Sequence, residues 1–228
     1  MKKVVIACEM LRDELTKAMS LLGSDMPIVW IDTKYHNKPS DLHAKLQEEV
    51  DKLKDMDEIL FTFGTCGNAI LHIQATTADL VIPITEDCIS MLLSKPNEKF
   101  KRMKNTYFLT KAWMNTSDSL VSDFNRAVER YGKERTDRLF KKMLQNYDKL
   151  MLIDTGTYDV QEYSLKAEDF ARLANLSLFV ENGSIWMLEK LISGPYDDDF
   201  CLVPKGESVT FECMGFSEET PPSVLNAY

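Results

Sequence analysis

The chain has 228 residues, 44% apolar and 28% charged, which is ordinary for a folded soluble protein and enough to bury one large or two small cores. Thirty-six acidic against 27 basic residues give a net charge of −9, and no Lys/Arg-rich stripe is present, so nucleic acid and anionic membranes are disfavoured as partners. No apolar run approaches the ~18 residues of a membrane span, and five cysteines without close pairing do not read as a disulfide framework.

Val4–Ala7 reads as the first strand, ending at Cys8. With Lys2-Lys3 before it, Val5-Ile6-Ala7-Cys8 resembles a lipoprotein cleavage box. Its apolar stretch is too short for the ~7–15 residues of a signal segment, so the expected location is the cytoplasm, with thiols kept available. Glu9–Leu22 follows as a helix with Met10, Leu11, Leu15, Met19 and Leu22 on one stripe, stopped by Gly23. Ile28–Ile31 is the second strand, and the polar run Asp32 to Pro39 contains His36. Ser40 reads as the N-cap of a helix burying Leu42, Leu46, Val50 and Leu53.

Ile59–Phe63 is the third strand. It breaks at Gly64-Thr65-Cys66-Gly67-Asn68, and a helix is expected from Ala69. Gly64 and Gly67 allow a sharp bend and a close approach by another atom. Leu80–Ile84 is the fourth strand, ending in Thr85-Glu86-Asp87-Cys88, with a helix over Ile89–Ser94. Strands alternating with helices predict a Rossmann-like α/β fold, a mostly parallel sheet flanked by helices, with two similar α/β halves over residues 1–100 and 101–228.

In the second half, Thr106–Thr110 reads as a strand ending near Trp113. A charged helical region spans Ser119–Tyr147 with a break at Gly132, and Lys149–Ile153 is a strand closing on Asp154-Thr155-Gly156. Helices are expected over Lys166–Asn175 and Ser184–Ile192, and a short strand over Leu178–Val180. Phe200–Val203 and Val209–Phe211 are expected to pair as a hairpin, and Pro221-Pro222 belongs to a docked or frayed tail.

In a parallel sheet every strand ends at the same edge, where ligands bind. Cys8, His36, Cys66 and Asp87-Cys88 each follow one of the first four strands, so three thiols and an imidazole share one rim. That set suits a divalent transition metal, zinc first, with iron, nickel or cobalt as alternatives. Cys66 and Cys88 each precede an expected helix, whose dipole would lower a thiol pKa, and His36 would act as a neutral ligand or as a base. The competing reading has Cys8 and Cys88 packing strand ends and His36 as an ordinary loop residue. Trp113 and Gly156, an aromatic wall and a glycine turn, could line a cofactor cleft together with Gly64, Gly67 and Asn68, or serve packing and turns alone. His43, His72, Cys201 and Cys213 are left outside the site, and Asp197-Asp198-Asp199 reads as a solvated turn.

The segments Tyr35-His36-Asn37-Lys38-Pro39, Phe63-Gly64-Thr65-Cys66-Gly67-Asn68, Leu80-Val81-Ile82-Pro83 with Asp87-Cys88-Ile89, Tyr107-Phe108-Leu109-Thr110 with Trp113, Arg130-Tyr131-Gly132 and Ile153-Asp154-Thr155-Gly156 occur in this order. This arrangement resembles the prokaryotic family catalogued as domain of unknown function 1638, over nearly the whole chain. The resemblance singles out Cys8, His36, Cys66 and Cys88. It implies a cytoplasmic protein working near corrinoid-dependent methyltransferases, with a small-molecule substrate or a corrinoid, and with proteins of a corrinoid methyltransferase system as partners. An oligomer is compatible with it. Asp87 and Cys66 are the residues expected to take part in catalysis, Asp87 as an acid/base group or a support beside the metal. A metal or corrinoid carrier or sensor without turnover, and a metal-free enzyme with Cys66 as nucleophile and His36 as its base, are the alternatives. The chain departs from the family pattern at Ile84, where an Arg is expected, and at Phe63 and Thr65, where Tyr and Leu are expected.

Overall fold

In the computed structural model, residues 1–98, 100–116 and 119–216 are described. The elements in chain order are β1 (Lys3–Cys8), α1 (Arg12–Leu22), β2 (Ile28–Ile31), α2 (Pro39–Lys52), β3 (Glu58–Phe61), β4 (Asp79–Pro83), α3 (Cys88–Leu93), β5 (Thr106–Leu109), α4 (Lys111–Asn115), α5 (Leu120–Tyr131), α6 (Lys133–Met143), β6 (Lys149–Asp154), α7 (Val160–Ala174), β7 (Ser177–Asn182), α8 (Trp186–Ser193) and β8 (Phe200–Val203). They form two compact units, Met1–Lys99 with Ile185–Tyr228, and Phe100–Ser184. No described helix is long and apolar enough to cross a membrane.

The first unit holds a five-stranded sheet in the order β2-β1-β3-β4-β8. Its first four strands are parallel, and β8 runs antiparallel along β4, with Val81 opposite Leu202. Val4–Ala7, Ile59–Phe61, Leu80 and Ile82 are buried because helices cover both faces of a parallel sheet. With this strand order, crossovers of the usual right hand take α1 and α2 to opposite faces. The strand order reverses between β1 and β3, so the switch point where α/β sheets bind ligands lies between the ends of these two strands. The pairing of β8 with β4 brings the last part of the chain back into the first sheet. The units therefore divide differently from a single cut between residues 100 and 101.

The second unit is a parallel sheet, β5-β6-β7. Its core gathers Leu109, Phe124, Phe140, Leu150, Leu152 and Phe170 from strands and helices alike. The helical region is interrupted at Gly132, whose φ of 77° breaks the helix between α5 and α6. Both units are mixed α/β with mostly parallel strands, in agreement with the fold class expected from the sequence.

Several local expectations are corrected. No helix follows Cys66: residues 66–72 are turns, because Cys66, Gly67 and Asn68 all have positive φ (45°, 66° and 73°), from which a right-handed helix cannot begin. The helix expected from Glu9 opens with a 3-10 turn, Glu9–Leu11. Pro39 starts α2, with Lys38 at the cap, so Ser40 already lies inside the helix. Trp113 lies in α4, which Thr110 caps, rather than at a strand end. Asp159 caps α7, which begins six residues before the expected Lys166. Val209–Phe211 does not pair with Phe200–Val203. Instead residues 207–209 run along residues 72–75, with Gln74 bridged to Ser208. Cys201 and Cys213 form a disulfide, a pairing the cysteine spacing did not disclose. The expected tail at Pro221-Pro222 lies outside the described residues.

Candidate functional site

Cys8 is the last residue of β1, almost completely buried, and its amide donates to Thr62 Oγ1 at 2.9 Å. The neighbouring strand β2 ends at Ile31, and Asp32 caps the turn Thr33–Asn37 by accepting from the Lys34 amide. That turn carries His36 back over the end of β1. The result is a direct contact, Cys8 Sγ to His36 Nε2 at 3.1 Å. The imidazole lies nearly parallel to the Phe63 ring, with centroids 6.3 Å apart. Two residues 28 apart in sequence meet because their strands are adjacent and parallel.

Cys66 is held from the other side of the switch point. Its amide donates to Glu86 O at 2.8 Å, the Thr65 amide donates to Thr85 O at 2.9 Å, and Thr65 Oγ1 donates to Glu86 O at 2.9 Å. The loop after β3 is thereby pinned to the loop after β4. Gly64 is required by space, since a Cβ there would lie 2.3 Å from Thr85 O. Gly67 combines positive φ with a second close approach, a Cβ 3.2 Å from Pro39 Cγ. Asn68 shares the left-handed backbone of this turn. Cys66, Gly67 and Asn68 are all partly exposed.

Asp87 caps α3: its Oδ1 accepts from the Ser90 amide and from Ser90 Oγ, both at 2.9 Å. Cys88 is the first residue of that six-residue helix and is half-buried.

The expectation of a lowered thiol pKa is overturned at Cys66. Burial pushes the Cys8 thiol up from 9.0 to about 12; the Met10 amide opposes this, while Glu9 and Glu14 add to it. Burial also raises the Cys66 thiol, and the nearby Cys8 and Asp87 raise it further. The helix whose dipole was to favour a Cys66 thiolate is absent. Burial lowers the pKa of His36 from 6.5 and so favours the neutral imidazole, against the opposing pull of Asp87.

Among the described residues no group of three or more His, Cys, Asp and Glu side chains is gathered closely enough to hold a metal ion. Of the four expected ligands, Cys8 and His36 touch, Cys66 stands within electrostatic reach of Cys8, and Cys88 follows the cap residue Asp87. Four further residues bear on this rim: Thr62, which holds the Cys8 amide; Phe63, beneath the imidazole; Thr85, behind Gly64; and Glu14, a buried carboxylate near Cys8. Glu14 had one sequence signal, a carboxylate beside the apolar stripe of α1. Thr62 and Phe63 continue the apolar run of β3 and Thr85 opens the polar loop after β4, positions that composition and spacing do not single out.

Beyond the Thr85 loop, a cavity of about 130 Å³ is lined by Ile84, Thr85, Ser94, Lys95, Trp186 and Asp199, among others. Trp186 Nε1 donates to Ser94 O at 2.6 Å and fixes one wall.

Trp113 and Gly156 belong to the second unit. There Trp113 Nε1 donates to the Tyr107 hydroxyl at 2.8 Å, and the Gly156 amide donates to Asp154 Oδ1 at 2.8 Å, which closes the turn after β6. His43 Nδ1 is 3.0 Å from Ala69 O, on the outer side of the Cys66 turn. Asp197 and Asp199 pair with Lys190.

No curated protein and no solved structure is similar enough to the chain to count as a match. A family model described as "Protein of unknown function (DUF1638)" matches residues 30–192, from the end of β2 to the end of α8. The match covers more than half of the chain and includes His36, Cys66, Asp87 and Cys88, so the chain belongs to the DUF1638 family.

Proposed function

We propose that the protein binds a divalent transition-metal ion at the Cys8–His36 pair, zinc foremost, with iron, nickel or cobalt as alternatives, and that Cys66 and Cys88 complete the donor set by turning towards it. The observation that carries this reading is the charge around the pair. Among the described residues carboxylates stand near each of these groups: Glu14 and Glu9, the latter paired with Arg12, near Cys8, and Asp87 near Cys66 and His36. A buried thiol and a half-buried imidazole beside carboxylates fit a thiophilic cation, which offsets that charge and stabilises a thiolate that burial alone disfavours. The 3.1 Å between Sγ and Nε2 is near the ~3.5 Å that two ligands of one tetrahedral zinc subtend at ordinary bond lengths.

The ion would lower the pKa of a bound thiol or polarise a bound small molecule. Cys8, at the end of β1, and His36, in the turn after β2, would hold its position. Asp87 steadies the start of α3 beside Cys88, and the Gly64–Asn68 turn presents Cys66 at the partly exposed edge. We place this chemistry, as the family resemblance implies, in one-carbon or corrinoid-linked metabolism in the cytoplasm, acting on a small molecule or on a corrinoid carried by methyltransferase partners. The cavity beside Thr85 offers room for a small group next to the rim. The metal-free reading, with His36 activating Cys66, has less support because His36 contacts Cys8 instead.

Metal analysis of protein purified without an affinity tag and without oxygen tests the reading, followed by cobalt titration with absorption read in the thiolate-to-cobalt charge-transfer region. One ion per chain, lost in Cys8→Ser and in His36→Ala, is expected. A chain that takes up no zinc, iron, nickel or cobalt would remove the proposal; where an ion does bind, turnover assays on the loaded protein separate enzyme from carrier.

A further inference from the structure

The disulfide between Cys201 and Cys213 closes a strap across the back of the Cys66 turn. Cys201 is buried in the edge strand β8, and Cys213 is partly exposed in the turn that follows, with Cα atoms 5.1 Å apart. Between them the chain leaves the sheet and runs along residues 72–75. The Gly206 amide donates to Ala75 O, Ala75 to Glu207 O, His72 to Val209 O and Val209 to Ile73 O, at 2.8–2.9 Å. Val209 and Met214 are fully buried, and the Phe211 ring meets the His72 ring edge-on at 6.1 Å. A Cβ on Gly215 would lie 3.2 Å from Ile84 Cγ2. The strap therefore touches both sides of the frame that holds Cys66. On one side is the run that begins at Cys66, tied inward by Ala69 N to Cys66 O and Ile70 N to Thr65 O. On the other is Ile84, next to the carbonyls of Thr85 and Glu86 that hold the Thr65 and Cys66 amides.

We propose that the Cys201–Cys213 disulfide is a reversible redox latch on the thiol rim: a dithiol reductant opens it, frees the strap over residues 204–215, and loosens the turn that presents Cys66, so that its thiol reacts faster. A donor thiolate attacks Sγ of Cys213, the more exposed sulfur; the Cys201–Cys213 bond breaks, and Cys201 leaves as a thiolate that takes up a proton. The donor's second thiolate then displaces Cys213, which also ends protonated. Two electrons pass to the protein, and the donor departs as its own disulfide. Closing the latch is the reverse reaction, with a disulfide of the same class as oxidant. The latch differs from a structural staple because one of its sulfurs is partly exposed and its loop braces the run that follows Cys66.

The full chain is tested free of metal, with chelator present, so that the result does not depend on the metal reading. Native protein is treated with a dithiol, desalted and alkylated with iodoacetamide over time, and modification at Cys66 is read by peptide mass spectrometry. The expected result is reduction of the disulfide in the folded protein, with Cys66 alkylation rising at least about fivefold and falling back on reoxidation. Cys201→Ala/Cys213→Ala should alkylate at the faster rate without any dithiol. Hydrogen exchange of the reduced wild type provides a readout that does not require the variant to fold: the amides of His72, Ala75 and Val209 should lose protection while β1 and β3 keep theirs. A disulfide that resists dithiol in the folded protein, an unchanged Cys66 rate after reduction, or retained protection at these amides would each overturn the proposal.

Discussion

Gly64 and Thr85 face each other so closely that residue 64 can carry no side chain: a Cβ there would lie 2.3 Å from the Thr85 carbonyl oxygen and 2.6 Å from its Oγ1. The contact joins the loop after β3 to the loop after β4 at the point where Thr65 and Cys66 take their hydrogen bonds. Gly64→Ala is expected to push the two loops apart and to destabilise the protein by about 3 kcal/mol, at the severe end for a single methyl group because backbone must move. Urea unfolding measures it, and a change under 1 kcal/mol would mean that the loops separate freely.

Asp87 was expected to act in catalysis, yet its Oδ1 caps α3 through Ser90. A capping role and a chemical role separate by substitution. Asp87→Ala should cost about 1 kcal/mol and Asp87→Ser only a small part of that, since Ser caps nearly as well. If Asp87→Ser unfolds as readily as Asp87→Ala, the cap is not what this residue contributes.

The pH dependence of stability follows from the buried pair. Cys8 keeps its proton up to about 12 when folded but releases it near 9.0 when unfolded, so its contribution is whole below pH 9 and is lost as pH rises towards 12. His36 is depressed below 6.5, so the unfolded chain takes up a proton that the folded chain refuses, and stability falls as pH drops below 6.5. Metal-free protein should show a plateau between these limits in urea unfolding. Each arm has a limiting slope of about 1.4 kcal/mol per pH unit per proton. His36→Gln should flatten the acid arm, and Cys8→Ala should remove one proton from the alkaline arm and leave the Cys66 share. An acid arm as steep in His36→Gln as in the wild type would assign that proton to another group.

Two helix starts provide a paired test. Ser40 lies beyond the cap of α2, and Asp159 accepts from the Gln161 and Glu162 amides at the start of α7. Ser40→Ala should therefore change stability by less than about 0.5 kcal/mol, while Asp159→Ala should cost about 1 kcal/mol. The reverse order in thermal or urea unfolding would contradict both assignments.

Much of the fold was legible because the buried strands are short apolar runs with clear punctuation: Ile28–Ile31 and Phe200–Val203 have the expected bounds, and Gly132 breaks the helical region as expected. Strand order then places Cys8, His36 and Cys66 at one edge, and the Cys8–His36 contact agrees with that placement. The helix expected after Cys66 failed for a physical reason. Ala69–Ile73 has helical composition, but three consecutive residues with positive φ come first, and hydrophobic pattern carries no record of backbone handedness. The disulfide escaped notice because Cys213 reaches Cys201 by a loop whose path is set by its pairing with residues 72–75. The raised thiol pKa values escaped notice as well, because they depend on burial that only the assembled sheet creates.

The antiparallel return of β8 has a consequence for synthesis. The unit Phe100–Ser184 is continuous and can fold as soon as it leaves the ribosome, whereas the first unit is complete only when Phe200–Val203 has emerged. At ~5–20 residues per second the edge of β4 waits on the order of 5–20 s for its partner strand. During that interval the polar backbone of β4 is open to other chains. The inserted unit therefore sets the time for which a nascent chain is vulnerable to misassociation, and shortening the insertion should raise the yield of folded protein at high expression.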